Sequence, residues 1–167
     1  MDLKKRKKIR LENYDYSQNG AYFVTVCTAG KKALFWKNVG ADIIRPRPNE
    51  QSAGNAPLSE YGEIAETAIR NISEHYPFVT VDKYCIMPNH VHMIVFIAAS
   101  RDGRIISAPT LSTVIGQMKR WASKEAEAPL WQKSFYDEII RNEKACGEIC
   151  KYVCENPSRW EEDEYFV

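Results

Sequence analysis

The order of local signals along the 167-residue chain predicts an α+β fold. Three observations carry that expectation. Strand-forming runs rich in β-branched and aromatic residues recur at 21–28, 78–87 and 91–97, and in the second half of 130–141. Two segments, 59–74 and 110–127, instead space their apolar residues three and four apart, as a helix burying one face requires. The resulting order of strand, helix, strand, strand, helix, strand is the ferredoxin-like one, an antiparallel sheet with both helices on one face. A further helix, 143 to about 155, follows the last strand, and the second sheet face stays available for a site.

Each element has its own local reason. Ser17-Gln18-Asn19-Gly20 is a turn signal, and the apolar run AYFVTVCT (21–28) after it reads as a strand buried on both faces. Residues 31–36 are expected to continue along the sheet edge. The segment 40–57, with Arg45-Pro46-Arg47-Pro48 and Ser52-Ala53-Gly54-Asn55, loses periodicity and reads as a flexible loop. Ser59 suits an N-cap, acidic residues follow it in the first turn, and Ile64, Ala65, Ala68, Ile69 and Ile72 line one side of the helix that Pro77 ends. Strands 78–87 and 91–97 form a hairpin in which Pro88 fixes φ and Asn89 tolerates a left-handed turn position. The polar loop 98–109 leads to a helix with Leu111, Val114, Ile115, Met118 and Ala122 on one face and Lys119, Arg120 and Lys124 on or beside another. Asn142 caps the last helix, and Asn156-Pro157 stops it, because proline restricts the preceding residue and cannot continue the hydrogen-bond ladder.

With 44% hydrophobic and 11% aromatic residues the chain can bury the core of one domain spanning 1–167, with a basic N-terminal arm at 1–12. No apolar run approaches the roughly 20 residues of a membrane span, and MDLKKRKKIRL lacks the apolar centre of a signal peptide, so the expected location is the cytoplasm. The five cysteines are odd in number and contain no CxxC pair, which argues against a disulfide framework and a zinc ribbon. Cys146, Cys150 and Cys154 share one helical face and read as packing residues. A net charge of +1 hides a polar distribution, with Lys4, Lys5, Arg6, Lys7, Lys8 and Arg10 at the start and Glu161, Glu162, Asp163 and Glu164 at the end. A basic arm beside Tyr14, Tyr16 and Tyr22 suits a nucleic-acid backbone and its bases, and equally a solvated terminus. The Lys119, Arg120 and Lys124 flank divides in the same way between a phosphate channel and plain surface.

Two of the three histidines fall one residue apart in YCIMPNHVHMIVFI (84–97). Side chains alternate along a strand, so His90 and His92 share a face. Two neutral imidazoles so placed can hold a divalent metal and leave room for a third ligand, water and a substrate phosphate. The same spacing also fits one histidine at a strand end and one half-buried at the surface. On the last helix Tyr152 and Asn156 lie four residues apart, on nearly one side. Laid across the free sheet face, that helix would bring Asn156 to the histidines as a third metal ligand and Tyr152 to a phosphate held there. A packing tyrosine and a C-capping asparagine are the plainer alternative.

The motifs MPNHVH (87–92), LWQKSFYDEIIRNE (130–143) and YVCENPSRW (152–160), with the opening NYDYSQNGAYFVTVCT and the helix start LSEYG, are collinear over nearly the whole chain. Together they resemble the single-tyrosine HUH transposases, in the branch of REP-associated tyrosine transposases. That resemblance implies that His90 and His92 bind Mg²⁺ or Mn²⁺, that Tyr152 is the nucleophile forming a covalent 5′-phosphotyrosine, and that Asn156 takes the polar ligand position. It implies single-stranded DNA beside an imperfect hairpin or repeat as substrate, and a nucleoid-associated location in the cytoplasm. Insertion-sequence relatives are homodimers and REP-associated members also occur as monomers, so the resemblance leaves both open. Two departures stand out: 40–57 is looser than the short hairpin expected there, and no specificity domain follows NPSRW. Recognition then falls to the basic arm, the loops and the helix flank, and mobility and domestication remain alternatives. A non-catalytic module that binds single strands by stacking is the competing reading from another class. A metal-storage protein is a third, and would need the cysteines to converge with the histidines.

Overall fold

The structure, a computed structural model, describes residues 20–37, 57–98 and 109–166. Its elements run β1 (Gly20–Cys27), α1 (Glu60–His75), β2 (Val79–Ile86), β3 (His90–Ile97), α2 (Leu111–Glu125), β4 (Tyr136–Ile140) and α3 (Glu143–Glu155), with 3-10 turns at Ala29–Lys31 and Asn156–Glu162. The sheet order is β2-β3-β1-β4, and every neighbouring pair is antiparallel. This is the α+β arrangement that the sequence predicts. The basic arm 1–12 and nearly all of the loop 40–57 lie outside the described residues.

The three main helices start where their capping residues dictate. Ser59 accepts a hydrogen bond from the Gly62 N–H, Thr110 from Thr113 and Asn142 from Ala145, each satisfying an amide that the helix itself leaves open. Gly62 is required for a second reason: a Cβ there would stand 2.2 Å from the Phe35 carbonyl oxygen. That close approach seats the first turn of α1 on the segment after β1. Residues 31–36 do not extend the sheet. The chain turns at Gly30 and Lys31, both with positive φ, and only an isolated bridge pairs Trp36 with Leu58. Trp36 is buried and donates its indole N–H to the Ile86 carbonyl at 2.7 Å.

Register decides which side chains each sheet face presents. Met93 of β3 lies opposite Val24 of β1 and Tyr84 of β2, and Tyr84 donates to Glu66 of α1 while accepting from Arg70. This face is therefore covered by α1, and α2 joins the same layer through the Tyr76 and Gln117 side chains. The opposite face carries Phe23, Thr25 and Cys27 of β1, Cys85 of β2, and His90 and His92 of β3. α3 and the turn Asn156–Glu162 pack over β2 and β3 on that side. The two sheet faces thus separate a helical layer from a site layer.

Candidate active site

β3 begins at His90, so both histidines enter the site from the first turn of pleat after the hairpin. Each is almost wholly buried, and their Nε2 atoms lie 2.9 Å apart. Burial holds both imidazoles neutral, pushing each pKa down to about 3; Lys31 adds to the effect on His90, and His90 itself adds to it on His92. Neutral imidazole is the form that offers a lone pair to a cation.

The outer nitrogens are held by partners that orient the rings. His90 Nδ1 meets Asn89 Oδ1 at 2.8 Å, while the Asn89 amide nitrogen donates to the carbonyls of Lys31 and Tyr165. Because those two carbonyls need the NH₂ group, the oxygen of Asn89 is the atom facing His90. His90 therefore carries its proton on Nδ1 and turns the bare lone pair of Nε2 inward. His92 Nδ1 contacts the Thr25 hydroxyl at 2.8 Å. A hydroxyl can donate or accept, so His92 can change tautomer without losing that bond. Asn89 lacks the positive φ expected from its turn position; its side chain is drawn into the protein instead.

Tyr152, on the last turn of α3, reaches the same point. Its hydroxyl lies 3.3 Å from His92 Nε2, and its ring meets His92 and Phe23 edge-on. Tyr152 is 41% exposed, so the phenol faces both the histidines and solvent. Burial of its oxygen, reinforced by Asp163, pushes its pKa up to about 12, while the neighbouring Asn156 amide works weakly the other way. Asn156 is buried at the end of α3 and lines, with Tyr152 and Asp163, a cleft of about 400 Å³. Tyr152 thus lies beside the histidine pair, and Asn156 shares the cleft with Tyr152.

Of the acidic C-terminal run, Glu161, Glu162 and Glu164 are exposed and Asp163 turns inward. Pro157 and Trp160 are buried, and the chain returns across the site. Tyr165 packs on His90 with ring centroids 4.6 Å apart, and Lys31 stands over the Tyr165 ring. Asp163 Oδ2 is buried without a hydrogen-bond partner, 3.9 Å from His90 Nε2. His90, His92 and Asp163 bring three ligand atoms within 4.8 Å of one another, and among the described residues this is the one such group of His, Cys, Asp and Glu. The cysteines do not converge with the histidines: Cys146 and Cys150 pack half-buried against the core, and Cys154 is exposed. An orphaned carboxylate oxygen beside two lone-pair nitrogens is a donor set that fits a divalent cation.

Lys4, Lys5, Arg6, Lys7, Lys8 and Arg10 lie outside the described residues. Arg120 and Lys124 are exposed on α2, in the layer opposite Tyr152, and Lys119 turns its ammonium onto the carbonyls of Gln132, Lys133 and Ser134. A cavity of about 430 Å³ between α1 and α2 includes His75, but it lies in that same opposite layer and holds no site residue. Thr25, Asn89, Asp163, Tyr165 and Lys31 belong to the site and are not evident from sequence. Among the described residues no helix is long and apolar enough to cross a membrane.

No protein-family model matches the chain. A Haemophilus influenzae protein of uncharacterised function is 31% identical over 97% of this chain and 93% of its own length. A second protein of that organism, described as a candidate REP-associated tyrosine transposase, is 25% identical over 88% of this chain and 76% of its length. Among solved structures, a REP-associated tyrosine transposase bound to a REP hairpin superposes with a TM-score of 0.60 at 18% identity, covering 90% of this chain and 74% of that one. The fold likeness, the relative's description and the collinear histidine and tyrosine motifs agree, and the chain is similar to the REP-associated tyrosine transposases.

Proposed function

We propose that this protein is a metal-dependent endonuclease and strand transferase for single-stranded DNA that acts near hairpin or repeat sequences through a 5′-phosphotyrosine intermediate. The observation that carries the reading is the meeting of the Tyr152 hydroxyl with the buried histidine pair, 3.3 Å from His92 Nε2. His90 and His92 would hold the metal, with Asn156 at the polar position one turn beyond the tyrosine. A divalent ion there, Mg²⁺ or Mn²⁺, supplies positive charge that offsets the phosphodiester's negative charge and favours the phenolate.

The protein's own groups account for the rest. Tyr152 attacks the phosphorus in line with the 3′ oxygen; the tyrosyl O–P bond forms, the P–O3′ bond breaks, and the freed oxygen takes up a proton equivalent to the one lost from the phenol. Asn156 shares the cleft with Tyr152, and its amide favours the ionised phenol. Phe23 and His92 fix the tyrosine ring, so little orientation is left to chance when the phosphate arrives. A 3′-OH from another strand can reverse the step, joining DNA without a nucleotide cofactor. The relative bound to a REP hairpin supports a hairpin-bearing strand as the substrate class.

The test is incubation with labelled single-stranded DNA from repeats flanking the gene and Mn²⁺ or Mg²⁺, followed by a denaturing gel. A covalent adduct is expected for the native chain and for neither Tyr152→Phe nor His90→Ala. Specific DNA binding without an adduct, across metals and flanking sequences, would favour the non-catalytic binding module.

A further inference from the structure

We infer that Asp163, on the C-terminal segment beyond the tyrosine helix, is the anionic ligand of the metal at the histidine pair. The inference rests on the metal-dependent reading above and adds to it a ligand from a different element. Three observations carry it. The Asp163 side chain is fully removed from solvent, and its Oδ2 has no hydrogen-bond partner. A buried carboxylate oxygen without donors is costly unless a cation or a protonated partner meets it. That oxygen lies 3.9 Å from His90 Nε2, whose lone pair Asn89 turns inward.

The segment bearing Asp163 is held in place by contacts that do not involve a metal. The Tyr165 N–H donates to Asp163 Oδ1 at 2.7 Å, the Tyr165 carbonyl accepts from Asn89, and the Tyr165 ring lies on His90. Trp160 is buried just before it. One oxygen of the carboxylate is thus occupied by the backbone, and the other is aimed at the histidines. Asn89 links the two halves of the arrangement, because one side chain orients His90 and anchors the tail. Two imidazoles and one carboxylate suit first-row divalent ions, and the hard oxygen extends that preference toward Mn²⁺ and Mg²⁺. Asn156 then stands beside Tyr152 in the same cleft, where its amide favours the ionised phenol.

Mn²⁺ binding to the full chain without DNA, measured by titration calorimetry, separates the readings. Asp163→Asn keeps an oxygen for the Tyr165 N–H and removes only the anionic ligand. Binding at least tenfold weaker than that of the native chain is expected for Asp163→Asn, with a smaller metal-induced rise in melting temperature, and no binding is expected for His92→Ala. Glu162→Gln neutralises a nearby carboxylate that is already paired with Arg159, and should bind as the native chain does. Native affinity in both Asp163→Asn and Asp163→Ala, with binding lost in His92→Ala, would overturn the role of Asp163 and leave the histidine metal site standing. A tenfold loss in Glu162→Gln as well would also overturn it, reducing the effect to general charge. Failure of the native chain to bind Mn²⁺ would overturn the metal-dependent reading itself.

Discussion

The buried histidine pair makes stability depend on pH in a window where carboxylates contribute little. In the folded chain His90 and His92 remain neutral down to about pH 3, because burial opposes their charging. In the unfolded chain each titrates near ~6.5. Between those values the unfolded state binds more protons, so stability rises with pH there; it is complete above about pH 7 and is lost as pH falls below ~6.5. Each histidine contributes a slope of at most about 1.4 kcal/mol per pH unit, and the pair about 2.7. Allowing for partial protonation near pH 6.5, lowering the pH from 7 to 5 costs the fold about 4 kcal/mol. That is a large share of the roughly 5–15 kcal/mol typical of a domain.

Equilibrium urea unfolding at pH 7, 6 and 5, with EDTA present to exclude metal, measures this directly. The expected result is a fall in midpoint with an unchanged m-value. A change below about 1 kcal/mol between pH 7 and 5 would refute the assignment of two buried neutral imidazoles. Added Mn²⁺ should raise stability more at pH 7 than at pH 5, because protons and cation compete for the same lone pairs.

Three further outcomes follow from particular contacts. Asn89→Ala removes the acceptor that fixes His90 and leaves buried groups without partners; a loss of about 1–3 kcal/mol in urea unfolding and roughly 10–100-fold weaker Mn²⁺ binding by calorimetry are expected. Gly62→Ala drives a methyl into the Phe35 carbonyl and should cost about 1–3 kcal/mol, read as a lower urea midpoint. Tyr152→Phe removes a half-exposed hydroxyl that approaches His92 only loosely, at 3.3 Å, so unfolding should shift by less than about 1 kcal/mol while adduct formation disappears.

Local chemistry made much of this fold legible. Ser59 and Asn142 announce two helix starts, Pro157 announces the end of α3, and the alternation of His90-Val91-His92-Met93 places both imidazoles on one face before any coordinates are known. Spacing along α3 likewise carries Tyr152 and Asn156 to the same cleft. What escaped depends on contacts between residues far apart in the chain. Asn89 has the composition of a turn residue, and nothing local reveals that its amide bonds Lys31, 58 positions away, and Tyr165, 76 away. Nothing local in the run Glu161-Glu162-Asp163-Glu164 separates Asp163, which turns to His90 beyond the buried Pro157 and Trp160, from its three exposed neighbours. Residues 31–36 carry strand-like side chains, but Gly30 and Lys31 take positive φ and turn the chain off the sheet edge.

The geometry of the site is a consequence of strand register more than of any loop. His92 lies opposite Thr25 and Cys85, and His90 opposite Cys27, within ladders that also place Val91 and Met93 in the helical layer. A slip of one residue in β3 would turn both histidines into the apolar core and present Val91 and Met93 to Tyr152. Burying two imidazoles among Tyr22, Val24 and Ile69 would be severely unfavourable, so the core enforces the register that the chemistry needs. α3 then requires only a cap at Asn142 and a stop at Pro157 to set Tyr152 over that fixed pair. Tyr152 and the histidine pair are held in place by the interactions that fold the domain, and the Asp163 segment closes over an arrangement the sheet has already made.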